Sequence, residues 1–303
     1  VEMRQLEYFV AVADELSFSR GAARVHVVQS AVSSAIAKLE RDLGVTLIDR
    51  SRLRITLTAP GAAFLVEARA TLDAARRARE AATSFNGQLS GTVDLGTLQS
   101  SGGIDVPAVL SWFHDTHPLV AVRLRQSVGG SSDHLAAVAD GSMDLALVAL
   151  TGRPPNGVTT RVLSSEPLLF VCWPDHRLAD HDHVVPTDLA GETVIGYPRG
   201  WGVRRLTDDA FAAEGVDLAM PYEVSDYRTA AGLVRHRLGV TMMPATEAAR
   251  LDDLRMLPLE PAVIWNVQLA TAAAQRSSAA ALAMARAFVD DAERRGTRPP
   301  AGW

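Results

Sequence analysis

The stretch from Ser17 to Thr58 constrains this chain most. It reads SFSRGAARVHVVQSAVSSAIAKLERDLGVTLIDRSRLRITLT. Ser19 is placed to cap a short helix, Ala22 and Ala23 are small enough for close helix crossing, and Val25-His26-Val27 makes a turn. The next helix carries Val32, Ile36, Leu39 and Leu43, a spacing that puts all four on one buried face. The opposite face shows Gln29, Ser30, Ser33, Ser34 and Lys38, short or flexible polar groups that can enter a major groove and meet base edges. Ser19 and Arg20, just before, join them as candidate DNA contacts. Gly44 is a plausible helix stop. Beyond it Arg50, Arg52 and Arg54 alternate with Ser51, Leu53 and Ile55, which suits a two-stranded wing lying against phosphates. Apolar spacing alone favours a small helical core with a solvated basic hairpin, since most amphipathic helices are simply core helices. The ordered set of parts is what selects a winged helix-turn-helix.

Residues 3 to 64 resemble the DNA-binding head of a LysR-type transcriptional regulator, and the resemblance continues over nearly all 303 residues. It is carried by MRQLEYFVAVADELSFSRGAARVHVVQSAVS, by IAKLERDLGVTLIDR and by LTAPGAAFL. The family usually has Ser where this chain has Val28, Phe where it has Ile48, and Gly near the wing tip where it has Arg52. Val28 cannot cap the recognition helix through its side chain, a loss of about 0.5–2 kcal/mol at a typical cap.

Charge is distributed as that resemblance requires. The net charge is −5, which alone argues against a nucleic-acid partner. Residues 1 to 90, however, hold 12 Arg and Lys against 10 Asp and Glu, or +2, leaving −7 for the remainder. A weakly basic head on an acidic body fits a DNA-binding domain joined to a sensing domain. Such a head needs dimerisation to double its phosphate contacts. No run of 18 apolar residues predicts a membrane span, and the amphipathic N-terminus does not read as a signal peptide; a soluble cytoplasmic protein is expected. Cys172 is the only cysteine, so neither an intrachain disulfide nor a cysteine zinc site is expected.

Arg4 to Glu15 reads as a first helix with Leu6, Phe9, Val10 and Ala13 inward. Thr58 caps a long helix running to about Phe85, with Pro60 in its first turn. Leu65, Ala68, Leu72, Ala75 and Ala82 form a heptad-like stripe along it, interrupted by Arg79. That stripe suits either packing on its own domain or pairing with a partner helix; in the resembling family this helix pairs in the dimer. The expected division is a winged helix-turn-helix at 1–58, a linker helix at 59–90, and an effector-binding domain at 91–303.

Within that last domain strands and helices alternate, which predicts parallel α/β sheets. The strands are TVDLGTL, VAVRLRQ, MDLALVAL, PLLFVCW, VIGYP, YEVS and GVTMMP. The helices are Ile104–Thr116, Asp133–Ala139, Val203–Glu214 and Arg228–His236. A strand near Val267–Ala270 and a helix at Ser278–Arg295 return to the first lobe. Lobe I is expected at about 91–161 and 267–296, lobe II at about 162–266. The resemblance implies a two-lobed, periplasmic-binding-protein-like effector domain with a cleft at the hinge.

Ligands in open α/β sheets sit beyond strand carboxyl ends, near helix N-termini. The candidate effector residues are therefore Ser100 and Ser101 after the first strand, Thr151 after MDLALVAL, Arg199 and Trp201 in YPRGWG, and Tyr227 and Thr229 after YEVS. Hydroxyls, helix N–H groups and Arg199 together suggest a polar or anionic metabolite. DHRLADHDH at 175–183 offers metal-ligand types without a ligand spacing, so neither a metal nor any other cofactor is expected. A catalytic serine would need a G-x-S-x-G elbow or a pairable base, and none is found, so no catalytic residue is assigned.

The reading is a LysR-type regulator, not an enzyme, that binds operator DNA as a homodimer or homotetramer and answers a small-molecule effector, with RNA polymerase a further candidate partner. The rivals are a ligand-independent DNA binder and an α/β solute-binding or enzymatic domain with an ancillary head.

Overall fold

The computed structural model describes residues 1–50, 55–83, 89–272 and 277–296. Its contacts divide the chain into two compact units: one reaches Gly87 and takes in Asp140–Ser142, and the other holds the remainder.

The first unit runs α1 (Met3–Glu15), α2 (Phe18–Arg24), α3 (Gln29–Leu43), the antiparallel hairpin β1 (Ile48–Asp49) and β2 (Thr56–Leu57), then α4 (Ala59–Thr83). Leu6, Phe9 and Val12 of α1 meet Val32, Ile36 and Leu39 of α3 in one buried cluster with Leu47 and Ile48. Each such side chain contributes about 1.5–3 kcal/mol. Val12 takes the inward place expected of Val10, and Leu43 lies half-buried at the margin.

Ser17, not Ser19, caps α2: its Oγ accepts the Arg20 N–H at 3.3 Å, while Ser19 is exposed. The close helix crossing is made by Gly21 rather than the following alanines. A Cβ there would lie 2.8 Å from Val12 Cγ2. Ala22 is buried beside it and Ala23 faces solvent. His26 adopts φ 56° in the turn, and the Val27 N–H closes it onto the Ala22 carbonyl at 3.0 Å. Gly44 ends α3 in the left-handed conformation, as glycine at such a terminus does.

Thr58 caps α4 as expected: its Oγ1 accepts the Gly61 N–H at 3.0 Å and donates to the Thr46 carbonyl at 2.6 Å. The stripe along α4 is spent differently. Ala68 is 2% exposed within the head's own core, Leu65 and Leu72 pack half-buried against that core, and Ala75 is exposed. The side of α4 left open carries Ala63, Val66 and Ala74. Phe85 lies outside the described residues, as do residues 86–88 of the polar linker after it.

The second unit is mixed, not parallel. β3 (Gly91–Thr97) pairs in parallel with β4 (Val120–Gln126) and β5 (Leu145–Val148), with α5 (Val106–Thr116) and α6 (Gly130–Asp140) between them in sequence. β6 (Val158–Cys172) then runs 15 residues. Its first part pairs antiparallel with β11 (Ile264–Ala272), and its last part with β9 (Thr241–Pro244) and β10 (Arg255–Pro258). Pro167, with no N–H to give to a ladder, stands where β6 leaves β11 for β9 and β10. The sequence shows only the end of this strand, PLLFVCW, because polar Thr159, Thr160, Arg161, Ser164 and Ser165 interrupt the apolar pattern before it.

A 3₁₀ turn at Pro186–Leu189 leads into β7 (Thr193–Gly196). α7 (Gly202–Ala213), β8 (Ala219–Glu223) parallel to β7, and α8 (Tyr227–Arg235) follow, and a short α9 (Ala245–Ala248) succeeds β9. A parallel bridge from Val194 to Val240 joins β7 to the β9 side. α10 (Ala279–Arg294), capped by Ser278, packs its Met284 and Phe288 into the main core. The passages between lobes thus run through β6 and the start of β11. Among the described residues no helix is long and apolar enough to cross a membrane.

Candidate functional site

Two surfaces carry the chemistry. The first is the outer face of α3. With Val32, Ile36 and Leu39 turned inward, Gln29, Ser30, Ser34 and Lys38 are exposed and Ser33 is half-buried. Val28 precedes the helix without a side-chain cap, so the first-turn N–H groups keep the affinity for phosphate that a helix N-terminus has.

The basic groups around this face already hold carboxylates. Lys38 Nζ donates to Glu2 at 2.8 Å, and this contact raises the lysine pKa and lowers that of Glu2. Arg24 pairs with Asp14 at 2.8 Å. Arg20 binds the Glu15 carboxylate at 3.2 Å and its carbonyl as well. Arg50 reaches Glu40 Oε2 at 3.2 Å and lies over the Phe18 ring, 4.7 Å from its centroid. Glu40 Oε1 also accepts the Leu47 and Ile48 N–H groups at 2.8 and 3.1 Å, so one carboxylate fixes both the hairpin's base and its first arginine. Nothing in the periodicity singles Glu40 out. Arg52 and Arg54 lie outside the described residues.

The second surface is the cleft between the lobes, and it departs from the expectation. It is lined by Leu98, Gln99, Ser100, Ser127, Gly130, Ser131, Ala149, Trp201, Gly202, Val203, Tyr227 and Trp265. Ser100, Trp201 and Tyr227 are therefore where the sequence put them. Ser101, Thr151, Arg199 and Thr229 do not line it, and Arg199 and Thr229 are exposed. Leu98, Ser131, Ala149 and Trp265 were missed. Trp265 enters from β11, of which the sequence showed only the middle, near Val267–Ala270.

Three features of the lining bear on the expected carboxylate clamp. No lining residue is cationic. Asp105 caps α5, accepting the Ala108 N–H at 3.0 Å, and Asp226 caps α8, accepting the Thr229 N–H at 2.7 Å, so these two helix N-termini are already occupied by carboxylates. In the loop itself the Gly102 and Gly103 N–H groups go to Ser100 Oγ and Ser164 Oγ at 3.4 and 3.3 Å. These two N–H groups are thus engaged by neighbouring side chains that a strand-end rule does not see, whereas the N-terminus of α7 has no side-chain cap.

The cleft is aromatic instead. Trp201 stacks on Tyr197 with centroids 5.6 Å apart and planes 3° apart, and Tyr227 packs on both rings. Burial pushes the phenols of Tyr197 and Tyr227 up, so both stay neutral. Ser131 Oγ accepts the Ala149 N–H at 2.8 Å. Behind the loop of Ser100–Gly103, Glu166 accepts from the N–H and hydroxyl of Thr246 at 2.7 and 2.9 Å, and burial raises its pKa despite these bonds. The space open to the centre of a water molecule is only ≈ 20 Å³, about one water's worth.

The 175–183 segment disperses its candidates. His176 is buried with Nε2 3.5 Å from Glu192, Asp175 pairs with Arg237, and His183 lies 3.4 Å from Glu260. Among the described residues no three metal-ligating side chains come together.

Comparison with known proteins agrees with both units. Residues 3–62 match the family model described as bacterial regulatory helix-turn-helix protein, lysR family, and residues 86–293 match the LysR substrate binding domain. The HTH-type transcriptional regulator ShiR of Corynebacterium glutamicum is 35% identical over 246 residues, 80% of this chain and 82% of that one. Among solved structures, a full-length OxyR variant from Pseudomonas aeruginosa superposes with a TM-score of 0.73 at 22% identity, covering 97% of this chain and 95% of that one. Full-length CbnR complexed with its target DNA gives 0.60 at 23% identity, covering 97% and 99%. A helix-turn-helix head with an exposed polar helix, joined to a two-lobed domain with a cleft at its strand crossing, is thus matched in both halves, and the chain belongs to the LysR family of bacterial DNA-binding transcriptional regulators.

Proposed function

We propose that α3 enters the major groove of an operator with Gln29, Ser30, Ser33 and Ser34 against base edges, and that Ser19, Arg20, Lys38 and the wing arginines Arg50, Arg52 and Arg54 fix its register on phosphates. The observation that carries this reading is the division of α3: Val32, Ile36 and Leu39 wholly buried on one side, with Gln29, Ser30, Ser34 and Lys38 exposed on the other. The CbnR–DNA structure, of the same fold, supports duplex DNA as the partner. Such a protein works in the cytoplasm, where the chromosome is, and promoter DNA brings it within reach of RNA polymerase.

The open side of α4, with Ala63, Val66 and Ala74, suits pairing with the same helix of a second copy, which places two heads on two half-sites and leads on to a dimer of dimers. Ala68, Leu65 and Leu72 serve the head's core in this arrangement. The cleft binds a small, uncharged effector: its lining has aromatic faces and hydroxyls but no cation.

Fluorescence anisotropy with the full chain tests the DNA reading. Gln29→Ala and Ser34→Ala should each weaken operator binding by about 1–3 kcal/mol per lost base contact and leave binding to scrambled duplex nearly unchanged. Equal losses on both duplexes would make these residues phosphate contacts and refute the groove assignment.

A further inference from the structure

The cleft is filled and bridged by one of the protein's own side chains. The Trp201 indole comes from lobe II, and its Nε1–H donates across the cleft to the Val128 carbonyl of lobe I at 2.9 Å. Its ring lies flat along Tyr197. The backbone on either side is pressed to lobe I more tightly than any other residue would allow. A Cβ at Gly200 would lie 2.0 Å from the Gly129 carbonyl oxygen, and one at Gly202 would lie 2.4 Å from Ala149 Cβ. The space that remains admits about one water, so any larger ligand must displace a lining group.

Trp201 is the group placed to move. Tyr197 is fastened inside its own lobe, its hydroxyl 3.2 Å from Thr241 Oγ1. Trp265 belongs to the crossing strand β11 and is 2% exposed. Trp201, by contrast, stands between two glycines ahead of α7, and the one polar bond of its side chain spans the lobes, beside the Gly200 carbonyl that accepts from Ser132 of lobe I at 3.4 Å. Glycines on both sides allow the backbone changes that would re-aim it.

We propose that Trp201 is a built-in occupant of the effector cleft. The effector is then an uncharged, planar aromatic molecule bearing an N–H or O–H donor. It takes the indole's place on Tyr197 and at the Val128 carbonyl, swings Trp201 out and releases the closure between lobes. This rests on the reading of the cleft as the effector site. The two occupants compete for the same stacking face and acceptor, and the ligand's differential affinity for the state with Trp201 displaced is what shifts the equilibrium.

Chemical complementation in the full-length protein tests it, with indole itself as the probe. Trp201→Ala leaves an aromatic-lined void of the kind that takes up small ring compounds. Indole should bind this variant about tenfold or more tighter than wild type and raise its Tm, and it should shift the variant's operator footprint. 1-Methylindole, which lacks the donor, should bind the variant markedly more weakly than indole does. Trp201→Leu keeps more of the apolar filling and carries the same titration if the alanine variant does not fold; the same order, variant above wild type, is expected. Operator binding by the wild type is measured alongside. Specific operator binding together with equal indole affinity in variant and wild type overturns the occupant proposal and leaves the regulator reading standing. Loss of the donor preference overturns the assignment of Val128 as the acceptor. Absence of operator-specific binding by the wild type overturns the regulator reading, and the proposal with it.

Discussion

Removing the Glu40 carboxylate should loosen the base of the wing without touching the recognition face. Its Oε1 accepts two backbone N–H groups, from Leu47 at 2.8 Å and Ile48 at 3.1 Å, and both residues are almost wholly buried. Hydrogen bonds to a charged acceptor contribute roughly 1.5–3 kcal/mol each. The Glu40 side chain is 15% exposed, so water can reach part of the site, and the lower end applies: about 3 kcal/mol for the pair. The Arg50 ion pair adds little, since that arginine is 40% exposed and such pairs give under about 1 kcal/mol. Glu40→Ala should therefore lower the amide hydrogen-exchange protection of Leu47 and Ile48 by about a hundredfold, as each tenfold corresponds to about 1.4 kcal/mol. Glu40→Gln keeps one acceptor oxygen and should lie well between. Amides of the α3 interior serve as the control and should hold their protection. Unchanged Leu47 and Ile48 protection in the alanine variant would show that solvent or a neighbouring group replaces the carboxylate, and the clamp would be refuted.

Other expectations follow from burial and charge. Val66→Asp, on the open side of α4, should shift full-length protein toward monomer in light scattering and leave the melting curve nearly unchanged. Leu72→Asp, against the head's core, should instead lower the melting temperature; the reverse pattern would return the seam to Leu65 and Leu72. His176 has a folded-state pKa below the ordinary histidine value because it is desolvated, so below about pH 6.5 the unfolded chain binds the extra proton and stability falls as pH drops. His176→Gln should reduce the loss of Tm between pH 7.5 and 5.5, and an equal loss in both proteins would refute that assignment.

Legibility from sequence followed the range of the forces involved. α3 was placed to the residue, because its boundaries rest on a local signal, apolar spacing ending at Gly44. β6 and β10 were missed in whole or part because their stability comes from partners nearly a hundred residues away in sequence, as with Pro167 opposite Ile264. Three of the twelve cleft-lining residues were found for a similar reason. Strand-end placement located Ser100, Trp201 and Tyr227, but whether a donor is free depends on which side chain satisfied it first. Asp105 and Asp226 did so at α5 and α8, while no side chain caps α7. Ala68 shows the same limit: a small residue on a heptad stripe looks the same whether it meets its own domain or another chain.

The carboxylates that hold Arg20, Arg24, Lys38 and Arg50 give the head a property that its count of basic residues conceals. Each cation that moves to a phosphate leaves behind an anion that must take up a counterion of its own, so part of the ion release that drives association is returned. The head is in this sense self-neutralised. It gains little on random duplex, where only phosphates are offered, and more at a site where base edges add what the exchanged ion pairs do not. If α3 faces the groove as proposed, low affinity for random duplex would follow from Glu2, Asp14, Glu15 and Glu40 as well as from the residues of that face.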